Sequence, residues 1–92
     1  MTPEDQARRA RVDAAKADLR AAMSRLPFDL NSADATRIDL WRIFMGKART
    51  ALNRNADDPV VYEECARAIR ACKSEPLASL VKGAYNNNSG PI

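Results

Sequence analysis

The sequence predicts an all-α fold, a small antiparallel bundle of three principal helices followed by a short C-terminal helix. Apolar residues recur every three or four positions in three separate stretches, as they do on the buried face of an amphipathic helix. Two of these stretches open with a helix-capping residue followed by Pro, the usual start of an α-helix. The connections between the stretches are short, which favours antiparallel neighbours.

The length of 92 residues is that of one domain, which we expect to cover residues 1–85. Hydrophobic residues make up 46% of the chain, but Ala supplies many of them, so the helices must pack closely. Residues 86–92 hold little that can be buried, and we expect them to form a flexible tail. The bias toward Ala, Arg and Asp is typical of GC-rich bacterial and bacteriophage genes, which is an association and not a physical argument.

The first predicted helix runs from Pro3 to Ser24. Thr2 provides the capping hydroxyl, and acidic residues in the first turn face the positive end of the helix dipole. The apolar positions of this helix are Val12, Ala15, Leu19, Ala22 and Leu26. The spacing also predicts two ion pairs along its first turns, Glu4 with Arg8 and Asp5 with Arg9.

The second predicted helix is centred on Ile38–Leu52 and ends near Arg54. A step of about 100° per residue places five apolar residues on one line, Ile38, Trp41, Met45, Ala48 and Leu52, with Leu40, Phe44 and Ala51 beside it. This arc spans roughly 160°, wider than the ~100° stripe that covers one core face. We therefore expect this helix at the centre of the bundle, with neighbours on two sides and Trp41 in the core.

The connector before the second helix contains two large apolar residues, Phe28 and Leu30, which we expect to cover one end of the bundle as a lid. The residues that compete to cap the second helix are Asn31, Ser32 and Asp34. Gly46, inside this helix, either admits a close neighbour or lies at an exposed position.

The third predicted helix starts at Pro59, with Asp57 and Asp58 before it, in the manner of the first. Its expected buried line is Val61, Cys65, Ala68, Ile69 and Cys72. A short fourth helix is predicted over Pro76–Lys82, with Gly83 as its C-terminal stop.

The two cysteines cannot form a disulfide with each other. Cys65 and Cys72 are seven positions apart on one predicted helix, so their Cα atoms lie about 10 Å apart, beyond the ~7 Å limit for a bridge. The N-terminal sequence shows no signal-peptide pattern, and no stretch is apolar enough for a membrane span. We therefore expect a cytoplasmic protein without membrane contact.

No catalytic, metal or cofactor signature is present, so we expect a protein that is not an enzyme. The chain has no His, both cysteines lie on an apolar face without a neighbouring base, and the three glycines are too scattered for a phosphate loop. A calcium loop starting at Asp29 fails because its sixth position is Asp34 and its twelfth is Leu40, where Gly and Glu are required.

Nucleic-acid binding is the alternative function. The second helix carries five basic residues against one acid, and the overall net charge is +3. Arg42 and Arg49 share one exposed face with Asn53 nearby, which is compatible with phosphate contact. A helix-turn-helix is disfavoured, because the start of the third helix is acidic and would repel phosphate. A solvated face explains the same arginines without any ligand.

Protein binding is the function that we favour, as an adaptor, inhibitor or assembly subunit; the sequence leaves self-association open. The first helix is longer than the third, so Pro3–Arg11 should project or lie on a partner. The flank of the second helix is either an exposed contact patch or is covered by the fourth helix and the lid. The predicted partner-binding residues are Arg8, Arg9, Arg11, Leu40, Arg42, Ile43 and Arg49.

Overall fold

The structure is a computed structural model that describes residues 2–85. It contains the helices α1 (Pro3–Met23), α2 (Ala35–Arg54), α3 (Pro59–Ala71) and α4 (Leu77–Tyr85). The predicted all-α bundle of three principal helices with a short fourth helix is confirmed. The predicted tail, residues 86–92, lies outside the described residues.

The helix starts follow from local hydrogen bonds. The Thr2 hydroxyl accepts a hydrogen bond from the backbone N–H of Asp5 at 3.1 Å, so this capping prediction is confirmed. The Asp58 carboxylate accepts one from the backbone N–H of Val60 at 3.0 Å. Asp34 occupies the N-cap position of α2 without a side-chain capping bond. Helix α2 ends in a left-handed residue, Asn55 with φ 54°.

Helix α3, rather than α2, lies at the centre of the bundle. It packs along α1 on one side and along α2 on the other, whereas α1 barely touches α2. Helices α1 and α3 run parallel, because Arg11 pairs with Glu63 and Asp18 pairs with Arg70 at the same offset of 52 positions. Their buried residues keep the same three-and-four spacing, Val12, Ala15, Leu19 and Ala22 against Tyr62, Cys65, Ile69 and Cys72.

The core differs from the prediction in the orientation of α2 and α3. In α2 the fully buried residues are Leu40, Phe44, Met45, Ala48 and Ala51, while Ile38, Trp41 and Leu52 are half-buried. In α3 the predicted line missed Tyr62, which is fully buried, and included Val61 and Ala68, which are half-buried. The buried Tyr62 hydroxyl donates a hydrogen bond to the Ala56 carbonyl at 2.6 Å, which satisfies its polar atom.

Helix α4 covers one flank of α2. Leu80 and Ala84 are buried there, and a Cβ on Gly83 would lie 3.7 Å from the Phe44 ring. Gly83 lies inside α4, so its prediction as the C-terminal stop is wrong. The ammonium group of Lys47 donates a hydrogen bond to the Ala84 carbonyl at 2.9 Å in the last turn, where a cation complements the helix dipole.

Across residues 2–85, every helix falls short of the length and apolar character that crossing a bilayer would require.

Candidate protein-binding surfaces

A cleft opens at the end of the bundle where the α1–α2 connector meets the start of α2 and the end of α3. We call it the connector cleft. It has a volume of about 460 Å³ and is lined by connector residues 26–29, 32 and 33 and by Arg37 and Lys73. It is open to solvent and is a surface groove rather than an enclosed cavity.

Two leucines of the connector are exposed to solvent, Leu26, which lines this cleft, and Leu30, which does not. Leu26 is 46% exposed and Leu30 is 53% exposed, so both predictions, a buried Leu26 and a Leu30 lid, are wrong. Helix α1 ends at Met23, and Leu26 therefore leaves the helical line on which it was placed. Leu30 lies in a turn that Asp29 holds, because the Asp29 carboxylate accepts the Asn31 N–H at 3.0 Å and the Asp29 carbonyl accepts the Ser32 N–H at 3.1 Å.

Phe28 is the connector residue that does cover the bundle. Its ring packs edge-on against Trp41, with 5.8 Å between the ring centroids and 79° between the ring planes. Trp41 is half-buried, and its indole N–H is buried without an acceptor among the described residues. Trp41 therefore contacts Phe28, which is one of the residues that line the cleft.

Two basic residues, Arg37 and Lys73, line the connector cleft. Arg37 donates a hydrogen bond from Nη1 to the Cys72 carbonyl at 2.8 Å, so this side chain is held in place at the end of α3. Lys73, the next residue, is exposed. The lining of the cleft therefore combines apolar connector residues with two cations and the Asp29 carboxylate.

The three predicted α1 arginines have different environments. Arg11 forms a two-pronged ion pair with Glu63, with nitrogen–oxygen distances of 2.7 and 3.1 Å, and Arg8 donates from Nε to the Asp57 carbonyl at 3.3 Å. Arg9 is exposed without an ion pair among residues 2–85. The predicted pairs Glu4–Arg8 and Asp5–Arg9 do not form; Arg8 instead reaches Asp57 in the turn before α3.

The predicted flank of α2 divides between core and surface. Leu40 is only 2% exposed and Ile43 is half-buried against the core, because α4 covers this side; the exposed-patch hypothesis is wrong for Leu40. Arg42 and Arg49 are exposed, and Arg42 makes only a loose pair with Asp39 at 3.8 Å. These two arginines lie on the same face of α2 as Gly46. A Cβ placed on Gly46 would meet nothing within 4 Å.

The two thiols are buried, and burial disfavours their reactive thiolate form. Cys65 and Cys72 are both free, and burial raises the pKa of the Cys72 thiol to about 11. Burial also raises the pKa of Cys65. In the part of the chain that the structure describes, no three His, Cys, Asp or Glu side chains come together as a metal site.

Comparison with known proteins identifies no relative: no family model, no curated protein and no solved structure matches this chain.

Proposed function

We propose that this chain is a small non-enzymatic protein-binding module that docks a segment of a larger partner protein in the connector cleft. The observation that supports the proposal is the pair of half-exposed leucines on the connector, Leu26 in the lining of the open cleft and Leu30 next in sequence to its lining residue Asp29. Exposed apolar residues scattered singly are normal, whereas a group of them beside a concave surface is typical of a binding site.

The charges of the cleft indicate the chemistry of the partner segment. Arg37 and Lys73 line the cleft, and the neighbouring Arg25 is exposed. A segment with an apolar side chain next to a carboxylate would place the apolar group against Leu26 and the acid near Lys73. Lys73 is the better acid-binding residue, because Arg37 already donates to the Cys72 carbonyl.

Affinity capture with matched variants tests this proposal. The wild-type chain is compared with Leu26→Ser/Leu30→Ser and with the control Val60→Ser/Val81→Ser, which removes two similarly exposed apolar residues outside the cleft. We expect one protein, identified by mass spectrometry after nuclease treatment, to be retained by the wild type and the control and lost by the cleft variant. An identical set of captured proteins for all three chains would contradict the proposal.

The fluorescence of Trp41 provides a second measurement. Because Trp41 contacts Phe28, which lines the cleft, binding of the captured partner's segment should change the indole emission. Lys73→Glu should weaken that titration by about tenfold if the bound group is acidic. If the partner binds without a change in Trp41 emission, and if Lys73→Glu does not change its affinity, it binds at another surface.

A second candidate function is nucleic-acid binding by the open face of α2. Its support is that Arg42 and Arg49 are exposed. Among the described residues they form a single ion pair, the loose contact of Arg42 with Asp39. Binding of mixed-sequence DNA or RNA should weaken by orders of magnitude between 50 and 200 mM salt if several phosphates are contacted, and Arg42→Glu/Arg49→Glu should abolish it. Absence of binding at low salt would eliminate this candidate.

The free buried thiols are compatible with a reducing compartment, and we propose that the protein acts in the cytoplasm, in a bacterial or phage-infected cell.

A further inference from the structure

The outer face of α1 carries a continuous row of exposed small residues. Along this helix five alanines repeat at alternating spacings of three and four, and all five are exposed, Ala7, Ala10, Ala14, Ala17 and Ala21. They lie on the side of α1 opposite to its buried residues, and no other element of the described chain covers them. This is the spacing of the contact positions in a two-helix coiled coil, and the small side chains permit close approach of a second helix. We call this surface the alanine face.

The charged residues that border the alanine face indicate which orientation a second helix would take. One border holds Arg11 and Asp18, and the other holds Asp13 and Arg20, each pair seven positions apart. On each border, therefore, one residue is basic and the residue one heptad away is acidic. This order is self-complementary only if the helix meets a reversed copy of itself.

The two orientations of a pair of α1 helices give opposite electrostatic results. In the antiparallel arrangement, like borders face each other, so Arg11 meets Asp18 of the second copy and Asp13 meets Arg20 of the second copy. Symmetry doubles each contact, which gives four attractive pairs. In the parallel arrangement, opposite borders face each other, and Asp13 meets Asp18 of the second copy, a repulsive pair.

We propose that the occupant of the alanine face is a second copy of this chain, with the two α1 helices antiparallel and Ala14 of each opposite Ala17 of the other. Arg11 and Asp18 already pair with Glu63 and Arg70 of α3 within one chain. The dimer extends these into rows of alternating charge, Glu63–Arg11 of one copy continuing to Asp18–Arg70 of the other. The inference does not depend on the connector cleft, which lies at the end of the bundle.

The dimer is expected to be weak. The five alanines span about 21 Å of helix at ~1.5 Å per residue and bury little area each. An interface of this length lies at the low end of specific contacts, so we expect a dissociation constant in the micromolar range or weaker. Because exposed ion pairs contribute, dimerisation should weaken as salt rises.

Charge reversals at Asp13 and Arg20 test the orientation by sedimentation equilibrium of the full chain from about 1 µM to 1 mM at low salt. Both residues are exposed and form no ion pair within residues 2–85, so the fold does not depend on them. Asp13→Arg alone and Arg20→Asp alone each replace two attractive contacts by two repulsive ones, and each should raise the dissociation constant by about tenfold or more. The double variant Asp13→Arg/Arg20→Asp restores opposite charges at both contacts and should dimerise like the wild type.

Mixing the two single variants gives the sharpest result. One chain then carries only bases at positions 13 and 20 and the other only acids, so the heterodimer regains all the attractive contacts that each homodimer lost. We expect the mixture to dimerise more tightly than either variant alone. Failure of both the double variant and the mixture to recover dimerisation would overturn the antiparallel register.

A steric variant tests the surface itself. Ala14→Glu places a charge at the middle of the alanine face, where the structure has no contact to disturb, and circular dichroism should show unchanged helicity. We expect this variant to remain monomeric at every concentration. A wild-type chain that is monomeric at 1 mM in low salt, or a dimer that survives Ala14→Glu, would overturn the proposal, and neither result would affect the capture experiment on the connector cleft.

Discussion

Asp18 and Arg70 join α1 to α3 through two parallel hydrogen bonds, from Arg70 Nη1 to Asp18 Oδ2 at 2.9 Å and from Nη2 to Oδ1 at 2.8 Å. One heptad earlier on both helices, Arg11 and Glu63 form the equivalent pair with the charges exchanged. The two pairs set the register of the parallel helices along one edge of their contact. They also leave both carboxylates accessible to solvent, so they can be titrated.

The acid stability of the chain should depend on these two pairs. The hydrogen bond from Arg70 lowers the pKa of Asp18, and that from Arg11 lowers the pKa of Glu63. A carboxyl with a lower pKa in the folded state stabilises the fold above its unfolded pKa, and this contribution is lost as the pH falls through the folded pKa. Urea unfolding should therefore show a loss of stability below about pH 4.5, with Asp18 contributing at most about 1 kcal/mol because the pair is exposed.

The double variant Asp18→Asn/Glu63→Gln should show a flatter dependence of unfolding free energy on pH in this acid range. Asp39→Asn is the matched control, because Asp39 pairs only loosely with Arg42 at 3.8 Å. If the control flattens the curve as much as the double variant does, the α1–α3 pairs are not responsible.

Gly46→Ala should stabilise the protein by about 0.5–1 kcal/mol, because Gly is a poor residue in a helix interior and no neighbour requires it here. A Cβ at this position would meet nothing within 4 Å, so no close neighbour requires Gly here, although the residue itself is half-buried. For a domain of this size the gain corresponds to a rise in Tm of a few degrees by calorimetry. A lower Tm would mean that Gly46 has a conformational role in α2.

Tyr62→Phe should destabilise the fold by about 1–2 kcal/mol, because it removes the hydroxyl that donates to the carbonyl of the half-buried Ala56. The Tyr62 side chain is fully buried and its hydroxyl lies 2.6 Å from that oxygen. Burial also raises the pKa of Tyr62, so ionisation disfavours the folded state and the wild type should lose stability above about pH 10. Denaturant unfolding of both chains at neutral and alkaline pH measures the two effects, and equal stability at neutral pH would show that the hydrogen bond contributes nothing.

Lys47→Met should loosen α4 without unfolding the other helices. The variant keeps the apolar stem of the side chain but removes the hydrogen bond to the Ala84 carbonyl, which costs about 1–2 kcal/mol for a charged donor. Hydrogen exchange should become faster in α4, while amides in the buried turns of α1 around Leu19 exchange at unchanged rates. Uniformly faster exchange throughout would show that α4 does not open separately.

Local signals were sufficient to predict the helices. The caps at Thr2 and Asp58, the Pro that follows each, and the spacing of apolar residues act within one or two turns, so they predicted where α1 and α3 begin. The same spacing predicted the four buried residues of α1, because this narrow stripe has only one way to face a core. The wide apolar arc of α2 admitted several orientations, and only contact with α3 and α4 decided that Leu40 is inside and Trp41 half outside.

The sequence by itself determined an all-α chain, the starts of α1 and α3 and the apolar stripe of α1, because these depend on neighbours along the chain. The tertiary structure decided which basic side chains are used internally, as Arg37 and Lys47 are at the ends of other helices. It also decided that Leu26 and Leu30 face solvent while Tyr62 does not. The physical reason is that burial and ion pairing depend on residues that lie tens of positions away, and their approach is set only when the helices pack.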